Sequence, residues 1–443
     1  MSELPAGWVS ASIGEICSQG EQRIPEADEQ FTYIDIASVD RGRKTVVGPQ
    51  LLRGYEAPSR ARKVVATGDV IVSMTRPNLN AVALIGQRHD SAIASTGFDV
   101  LRPIEVDPRW IFAAVKSAHF VKAMSAKVQG ALYPAIKADD IRKHEIPLPP
   151  LAEQKRIAQK LDALLAQVDT LKARIDAIPA LLKRFRQAVL AAATSGQPTE
   201  KLITQDGTTW KLTTIGEVCS GSFYGPRFGK TEYTELEEGI PTIRTTDMTD
   251  DGRIIISPAT PRVLVPTEKR SKFLAKKGDL LVTRTGSIGV MAVFDGDYEA
   301  IPSAYLIRFR FKPEIVPRYV FFCLMSPRGQ ASLGLSATAI TQPNINAEAV
   351  KAIEIRIPSI EEQTKIICRV EQLFAYADQL EAKVVAAQQR INALTQSLLA
   401  KAFRGELVPQ DPTDEPASVL LERIRAQRAA TPKPKRGRKA ATD

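Results

Sequence analysis

The sequence predicts an α+β fold: two globular mixed α/β parts, related by a pseudo-two-fold axis and separated by an antiparallel coiled coil of two long helices. Three observations predict it. The chain repeats itself, two long stretches carry an unbroken heptad of apolar residues, and the stretches before them alternate short strand-like runs with turn residues. At 443 residues the chain is too long for a single core.

The repeat is kept in order along the whole chain. Trp8 matches Trp210, and "IGEIC" from Ile13 matches "IGEVC" from Ile215. Gly68-Asp69 followed by Val70-Ile71-Val72 matches Gly278-Asp279 followed by Leu280-Leu281-Val282, and Pro108-Arg109-Trp110 matches Pro317-Arg318-Tyr319. "PLPPLAEQKRI" from Pro147 returns as "RIPSIEEQTKI" from Arg356 at a shift of 209. The shift drifts only by loop-sized steps, which is the mark of a duplicated unit. The first part of each copy, residues 1–147 and 201–356, reads as mixed α/β. "GDVIVSMT" and "GDLLVTRT" are strands entered from a Gly-Asp turn, and "PRWIFAAVKSA" and "PRYVFFCLMS" are short buried helices.

The second part of each copy, residues 148–200 and 357–405, is a long helix. Apolar residues fall at Ile157, Leu161, Leu164, Val168, Leu171, Ile175, Ile178, Leu182, Phe185 and Val189. They recur 209 positions later at Ile366, Val370, Leu373, Ala377, Leu380, Val384, Ala387, Ile391, Leu394 and Leu398. Steps of four and three keep a narrow stripe facing one partner, so the two helices are expected to pair with each other. A chain that must leave the first helix and return along the second gives an antiparallel pair. Pro179, where the second copy has Gln388, is expected to kink the first helix. The Pro-x-x-Glu-Gln junction suits a helix start: proline tolerates the first turn, and Glu153, Glu361 and Glu362 meet the positive end of the helix dipole.

Composition narrows the functional classes. No apolar run is long enough to span a membrane, and the N-terminus has no charged head with an apolar stretch, so a cytoplasmic location is expected. Cys17, Cys219, Cys323 and Cys368 stand singly, and His89, His119 and His144 show no metal-ligand spacing; ordinary packing or surface roles are expected for all seven, and no metal. The net charge of +10 is concentrated in the tail: from Arg423 onward eight basic residues face one acid, leaving +3 for the rest of the chain. A nucleic-acid site in the body must therefore be a local patch or be completed by a partner. Residues 406–443 read as a basic tail, partly disordered, whose Pro-rich, charged stretch "TPKPKRGRKA" is expected to add salt-sensitive and sequence-blind DNA affinity.

Two globular parts, each handing over to a "PLPPLAEQKRIAQKLDALL"-like helix, resemble the specificity subunit of type I restriction–modification enzymes, and "GELVPQDPTDEPASVLLERIRAQR" resembles that family's C-terminus. The resemblance covers residues 1–430. It implies two target-recognition domains, each reading one half of a split site in double-stranded DNA, with a helical spacer fixing the gap. It implies docking of two methylation subunits and of restriction subunits. The chain itself would bind no cofactor; the partners would use S-adenosylmethionine, and ATP with magnesium where the system cuts. No methylation motif, cofactor loop or Ser/His/Asp grouping is present, so the chain is expected to be non-catalytic. The alternatives are a methyltransferase-associated recognition protein without a restriction partner, and a coiled-coil scaffold that binds no DNA.

The repeat also nominates readers. Positions equal in both copies are frame, and equivalent loops that differ are candidates for reading different bases. The Gly-Asp strands end in "TRPNLN" and "TRTGSIG", which offer Arg76, Asn78, Asn80, Arg284 and Ser287; Arg suits guanine and Asn suits adenine in the major groove. Lys137, Gln342, Asn344 and Asn346 lie before the helix junctions, and Tyr224, Arg227 and Arg244 are further candidates. "YGPRFGKT" imitates a phosphate loop, but Gly225 is one residue too close to Gly229-Lys230, so no nucleotide site is expected there.

Overall fold

The computed structural model describes residues 4–128, 134–196, 210–236, 238–335 and 344–430. The chain packs as two compact units, one of them continuous and the other built from two segments. Unit 1 combines residues Met1–Ile175 with Ala386–Asp443, and unit 2 is Asp176–Val385. Each long helix is thus divided between the two.

The globular parts repeat one architecture. In unit 1 an antiparallel sheet runs Cys17–Gln19, Phe98–Pro103, Val70–Ser73, Val82–Leu84, and a second sheet runs Gln50–Arg53, Gln30–Ile34, Ile93–Ser95, Ala61–Val64. In unit 2 the counterparts are Cys219–Tyr224, Leu306–Phe311, Leu280–Thr283, Met291–Val293, and Tyr233–Thr234, Arg262–Val263, Ile240–Ile243, Ile301–Pro302. Each second sheet holds one parallel pairing, Tyr33 beside Ile93 and Thr242 beside Ile301. A two-stranded ribbon closes each copy: Val9–Ser12 with Glu145–Leu148, and Lys211–Thr214 with Glu354–Ile357. The strands from the Gly-Asp turns are buried throughout, as are the inner faces of the helices Pro108–Lys116 and Pro317–Met325.

The long helices are Leu151–Asp176 followed by Ile178–Thr194, and Ile360–Phe403. The first is interrupted at Ala177, because Pro179 has no amide to continue the ladder and sits in the opening turn of the second segment. In unit 1 Ile157 and Leu161 share a core with Leu399 and Ala402. In unit 2 Val189, Leu190 and Ala193 share a core with Ile366 and Val370, and Arg186 bridges Asp378 and Glu381. The start of each helix therefore meets the end of the other, which is antiparallel pairing.

The seam is narrower than the heptad suggests. In one series Leu161, Val168, Leu182, Val189 and Val370, Ala377, Val384, Ile391 are buried, and Ile175 and Leu398 are half-buried. In the other series Ile157 and Ile366 are buried, but Leu171 is 50%, Phe185 36% and Leu394 46% exposed. These three are not seam residues. A helix of 3.6 residues per turn drifts about 20° per heptad against a 3.5-residue repeat, so two helices that pair closely along one series leave the other at the lip.

The repeated Glu-Gln pair does more than meet a helix dipole. Glu153 accepts the indole N–H of Trp8 (2.9 Å), and Glu362 that of Trp210 (3.1 Å). Gln154 and Gln363 are fully buried. Gln154 accepts from the amide of Asp107 and donates to the carbonyl of Pro149; Gln363 accepts from the amide of Val316 and donates to Pro358. Each pair fastens the start of a long helix to its own globular part, satisfying backbone groups that burial would otherwise leave unpaired.

The tail requires a correction. Residues Ala417–Ala430 form a helix whose Ala417, Leu420, Leu421 and Ile424 are buried in the same core as Ile13, Ile16 and Trp110. Arg425 pairs with Glu15, Arg423 with Glu105 and Glu415, and Arg428 donates to the carbonyls of Gly14, Glu15 and Cys17. Ala417, Leu420, Leu421 and Ile424 fall at i, i+3, i+4 and i+7, which marks one helical face; reading the segment by its charge hid it. Residues 431–443, with most of the basic charge, lie outside the described residues.

Candidate nucleic-acid interface

Each candidate turn is held from behind by a rigid frame. Gly68 and Gly278 adopt φ of +92° and +90°, which glycine alone takes without strain. The buried carboxylates of Asp69 and Asp279 accept from the amides of Ala66 and Lys276 and receive bidentate guanidinium pairs from Arg102 and Arg310. These recurring residues set where the following strand begins and so where its far end points.

In unit 1 that far end is Thr75–Asn80. Thr75 bridges Ala135, the Arg76 amide donates to Pro134, and a single 3-10 turn spans Pro77–Leu79. Arg76 and Asn78 are exposed, and Arg76 and Asn80 both adopt left-handed backbone with φ of +48° and +45°. Such conformations cost of order 1 kcal/mol or more each and persist only where the surroundings impose them. Lys137 follows the bridged strand, exposed, at the start of the helix Ala138–Arg142.

In unit 2 the equivalent turn carries a cluster. The Arg284 guanidinium stacks over the Tyr224 ring at 4.9 Å, and Tyr224 accepts the Ala347 amide through its hydroxyl. Thr285 donates to the side chain of Asn344, and Ser287 is exposed on a turn between Gly286 and Gly289. The backbone keeps the register of 210 set by the two Gly-Asp turns. Ile136 donates to the carbonyl of Met74, and Ile345 to that of Arg284. Arg284 therefore stands where unit 1 has Met74, and Arg76 where unit 2 has Gly286, which has φ of +82°. The recurring Thr-Arg dipeptide is a coincidence two residues out of register.

Not every nominated residue joins these clusters. Arg244 forks onto Asp247 and donates to the carbonyl of Ala259, so it braces its own loop. Asn346 caps the helix Ala347–Lys351 by accepting from the amide of Ala349. Arg227 is exposed on the loop after Cys219–Tyr224, where only a three-residue 3-10 turn follows Gly229 and no phosphate-loop helix exists. Gln342 lies outside the described residues.

Sequence reasoning missed a hairpin. Val39–Asp40 pairs with Thr45–Val46 and presents Arg41, Arg43 and Lys44 at its tip. The Lys44 ammonium donates to the carbonyl of Asn80 at 2.6 Å, tying the hairpin to the candidate turn. Burial, then the nearby charges of Lys116 and Arg41, push the Lys44 ammonium down to about 8. Unit 2 keeps the hairpin position but places Asp250 and Asp251 there. The only signal in the sequence was a run of cations at a place where the repeat has acids.

Catalytic alternatives find little material. The thiols of Cys17 and Cys323 are pushed up to about 12 by burial, the opposite of an activated nucleophile. Among the described residues no His, Cys, Asp or Glu group could hold a metal ion, and no helix is long and apolar enough to cross a membrane.

Comparison with known proteins agrees with this geometry. Residues 5–180 and 207–387 match the family described as the type I restriction modification DNA specificity domain. The chain is 33% identical to the type I restriction enzyme StySPI specificity subunit of Salmonella potsdam, covering 99% of each chain. It is 38% identical to the EcoBI specificity subunit of Escherichia coli over 72% of each, and 32% identical to the EcoKI specificity subunit of Escherichia coli K12 over 99% of each. A solved structure concerned with complex assembly and conformational transition of the type I R-M system aligns with a TM-score of 0.77 at 28% identity, covering 92% of this chain and 100% of that one. The HsdS subunit from Thermoanaerobacter tengcongensis aligns with a TM-score of 0.61, also at 28% identity, covering 91% and 98%. The two matched domains, their repeated frame and their divergent turns place this chain in the type I restriction–modification DNA specificity family, as a non-catalytic subunit that recognises DNA.

Proposed function

We propose that each globular part reads one half of a bipartite site in double-stranded DNA, that the paired helices set the unread gap, and that two methylation subunits and the restriction subunits dock on this chain. The observation that carries the reading is the contrast within the duplication. Trp, Gly-Asp and Glu-Gln recur with the same hydrogen bonds, while the equivalent turns carry exposed Arg76 and Asn78 in one copy and half-buried Arg284 with exposed Ser287 in the other. A frame that is constant and a tip that varies suit two readers of different sequences. In unit 2 the Arg284 guanidinium, stacked on Tyr224, is preorganised for a bidentate contact with a base edge, with Asn344 beside it. This chain binds no cofactor; S-adenosylmethionine, and ATP with magnesium, belong to the partner chains, and the complex works in the cytoplasm.

The test is the methylome of cells expressing the methylation subunits with this chain, with its Arg76→Ala/Asn78→Ala variant, or without it. The wild-type chain should give a split motif, and the variant should relax one half of it alone. Methylation of the same motif without the chain, or relaxation of both halves by the variant, would overturn the reading.

A further inference from the structure

The Arg41–Lys44 hairpin of unit 1 gathers three cations around one acid, Asp40. Arg41 and Arg43 are exposed and form no ion pair among the described residues. The one acid in the hairpin, Asp40, is turned inward and accepts from the amides of Gly42 and Arg43. Lys44 and Lys172 add further cations close by, and Lys116 another, this last offset by Asp162 and Asp169. Charges of one sign gathered at a surface repel one another unless an anion joins them.

The backbone around this patch is equally unusual. Among the described residues five non-glycine residues have positive φ, and three of them, Lys44, Arg76 and Asn80, meet here. Lys44 closes the hairpin in this conformation and reaches Asn80, while Arg76 and Asn80 flank the candidate reading turn. In unit 2 the position of Arg76 is Gly286, which carries no strain, and the hairpin tip holds Asp250 and Asp251, with Asp251 paired to Arg253. The fold therefore does not require cations or strained residues at these positions; unit 1 has both.

We infer that the Arg41–Lys44 hairpin is a phosphate clamp of unit 1: Arg41 and Arg43 hold the DNA backbone, and Lys44 is a positioning residue that fixes the Arg76–Asn80 turn against the base edges. The inference rests on the reading of unit 1 as a DNA reader and adds a division of labour within it. Phosphate contacts fix register without carrying sequence information, and base contacts specify. The clamp and the reader are joined through the Lys44–Asn80 hydrogen bond, so the backbone grip sets the height of the reading turn above the groove.

The experiment uses the complete methylation complex and a duplex carrying its modified motif. Arg41→Ala/Arg43→Ala should weaken binding roughly tenfold at moderate salt, lower the slope of log affinity against log salt by about 2, and leave the motif unchanged. Lys44→Met, which keeps length and loses the donor, should relax the unit 1 half of the motif. Lys44→Arg should restore it. An unchanged salt slope in the double variant, or an unaltered motif with Lys44→Met, overturns the clamp. If the wild-type complex shows no salt-dependent, sequence-specific binding, it is the underlying reading of unit 1 that fails.

Discussion

His144 shows how one residue can carry a measurable property that its type alone does not announce. Its ring lies 5.4 Å from His119 and 5.2 Å from Phe120, and burial, then His119 and Lys127, push its imidazole down to about 4. The unfolded chain binds a proton there near pH 6.5 and the folded one does not until about pH 4. Between those values the unfolded state holds more protons, so this group makes stability rise with pH and fall on acidification below 6.5. Unit 2 has Ile353, 6% exposed, at the same place. His144→Ile should therefore raise the melting temperature relative to wild type more at pH 5 than at pH 7; an equal difference at the two pH values would sink the argument. The sequence marked His144 as ordinary packing or surface and could do no better, since its environment comes from Phe120 and His119 on the helix Ala118–Ser125. The same limit applied to Glu153, whose partner Trp8 lies 145 positions away. Repetition showed that the Glu-Gln pair mattered, but not to which atoms.

At the scale of elements, the long helices and the strands behind the Gly-Asp turns were legible because period and burial coincide. What sequence matching misjudged were elements defined by their surroundings. The Arg41–Lys44 hairpin escaped because comparing copies favours what recurs, and its sequence does not. The helix Ala417–Ala430 was obscured by its own charge. It buries Leu420 completely, against a first core that includes Ile13 and Trp110. Burying one such side chain is worth about 1.5–3 kcal/mol, and a carboxylate there would lack a partner. Leu420→Asp should thus lower the melting temperature of unit 1 while leaving unit 2 close to wild type, giving two separated transitions in calorimetry. A single transition shifted as a whole would show that the helix stabilises both units alike.

For the whole molecule the decisive feature is that both long helices are shared between the units. Inserting seven residues that continue the heptad after Leu171 and after Leu380, equivalent positions of the repeat, keeps the apolar series in phase. Seven residues add roughly 10 Å of helix, or about 3 base pairs of DNA. Methylome sequencing should find both halves of the motif unchanged and their separation increased; an altered half with the original gap would refute the ruler. The same division of the helices has a consequence for synthesis. Unit 2 is continuous, Asp176–Val385, whereas unit 1 needs residues from both ends of the chain, with Glu15 and Arg425 410 positions apart. Domains ordinarily fold in the order in which the ribosome delivers them, at about 5–20 residues per second. Here the second half can finish first, and the first half waits with Ile13, Ile16 and Trp110 unsealed until Leu420 has emerged. The residues that close the first domain are made after the second domain, so a chain cut short before the helix Ala417–Ala430 loses the domain begun earliest.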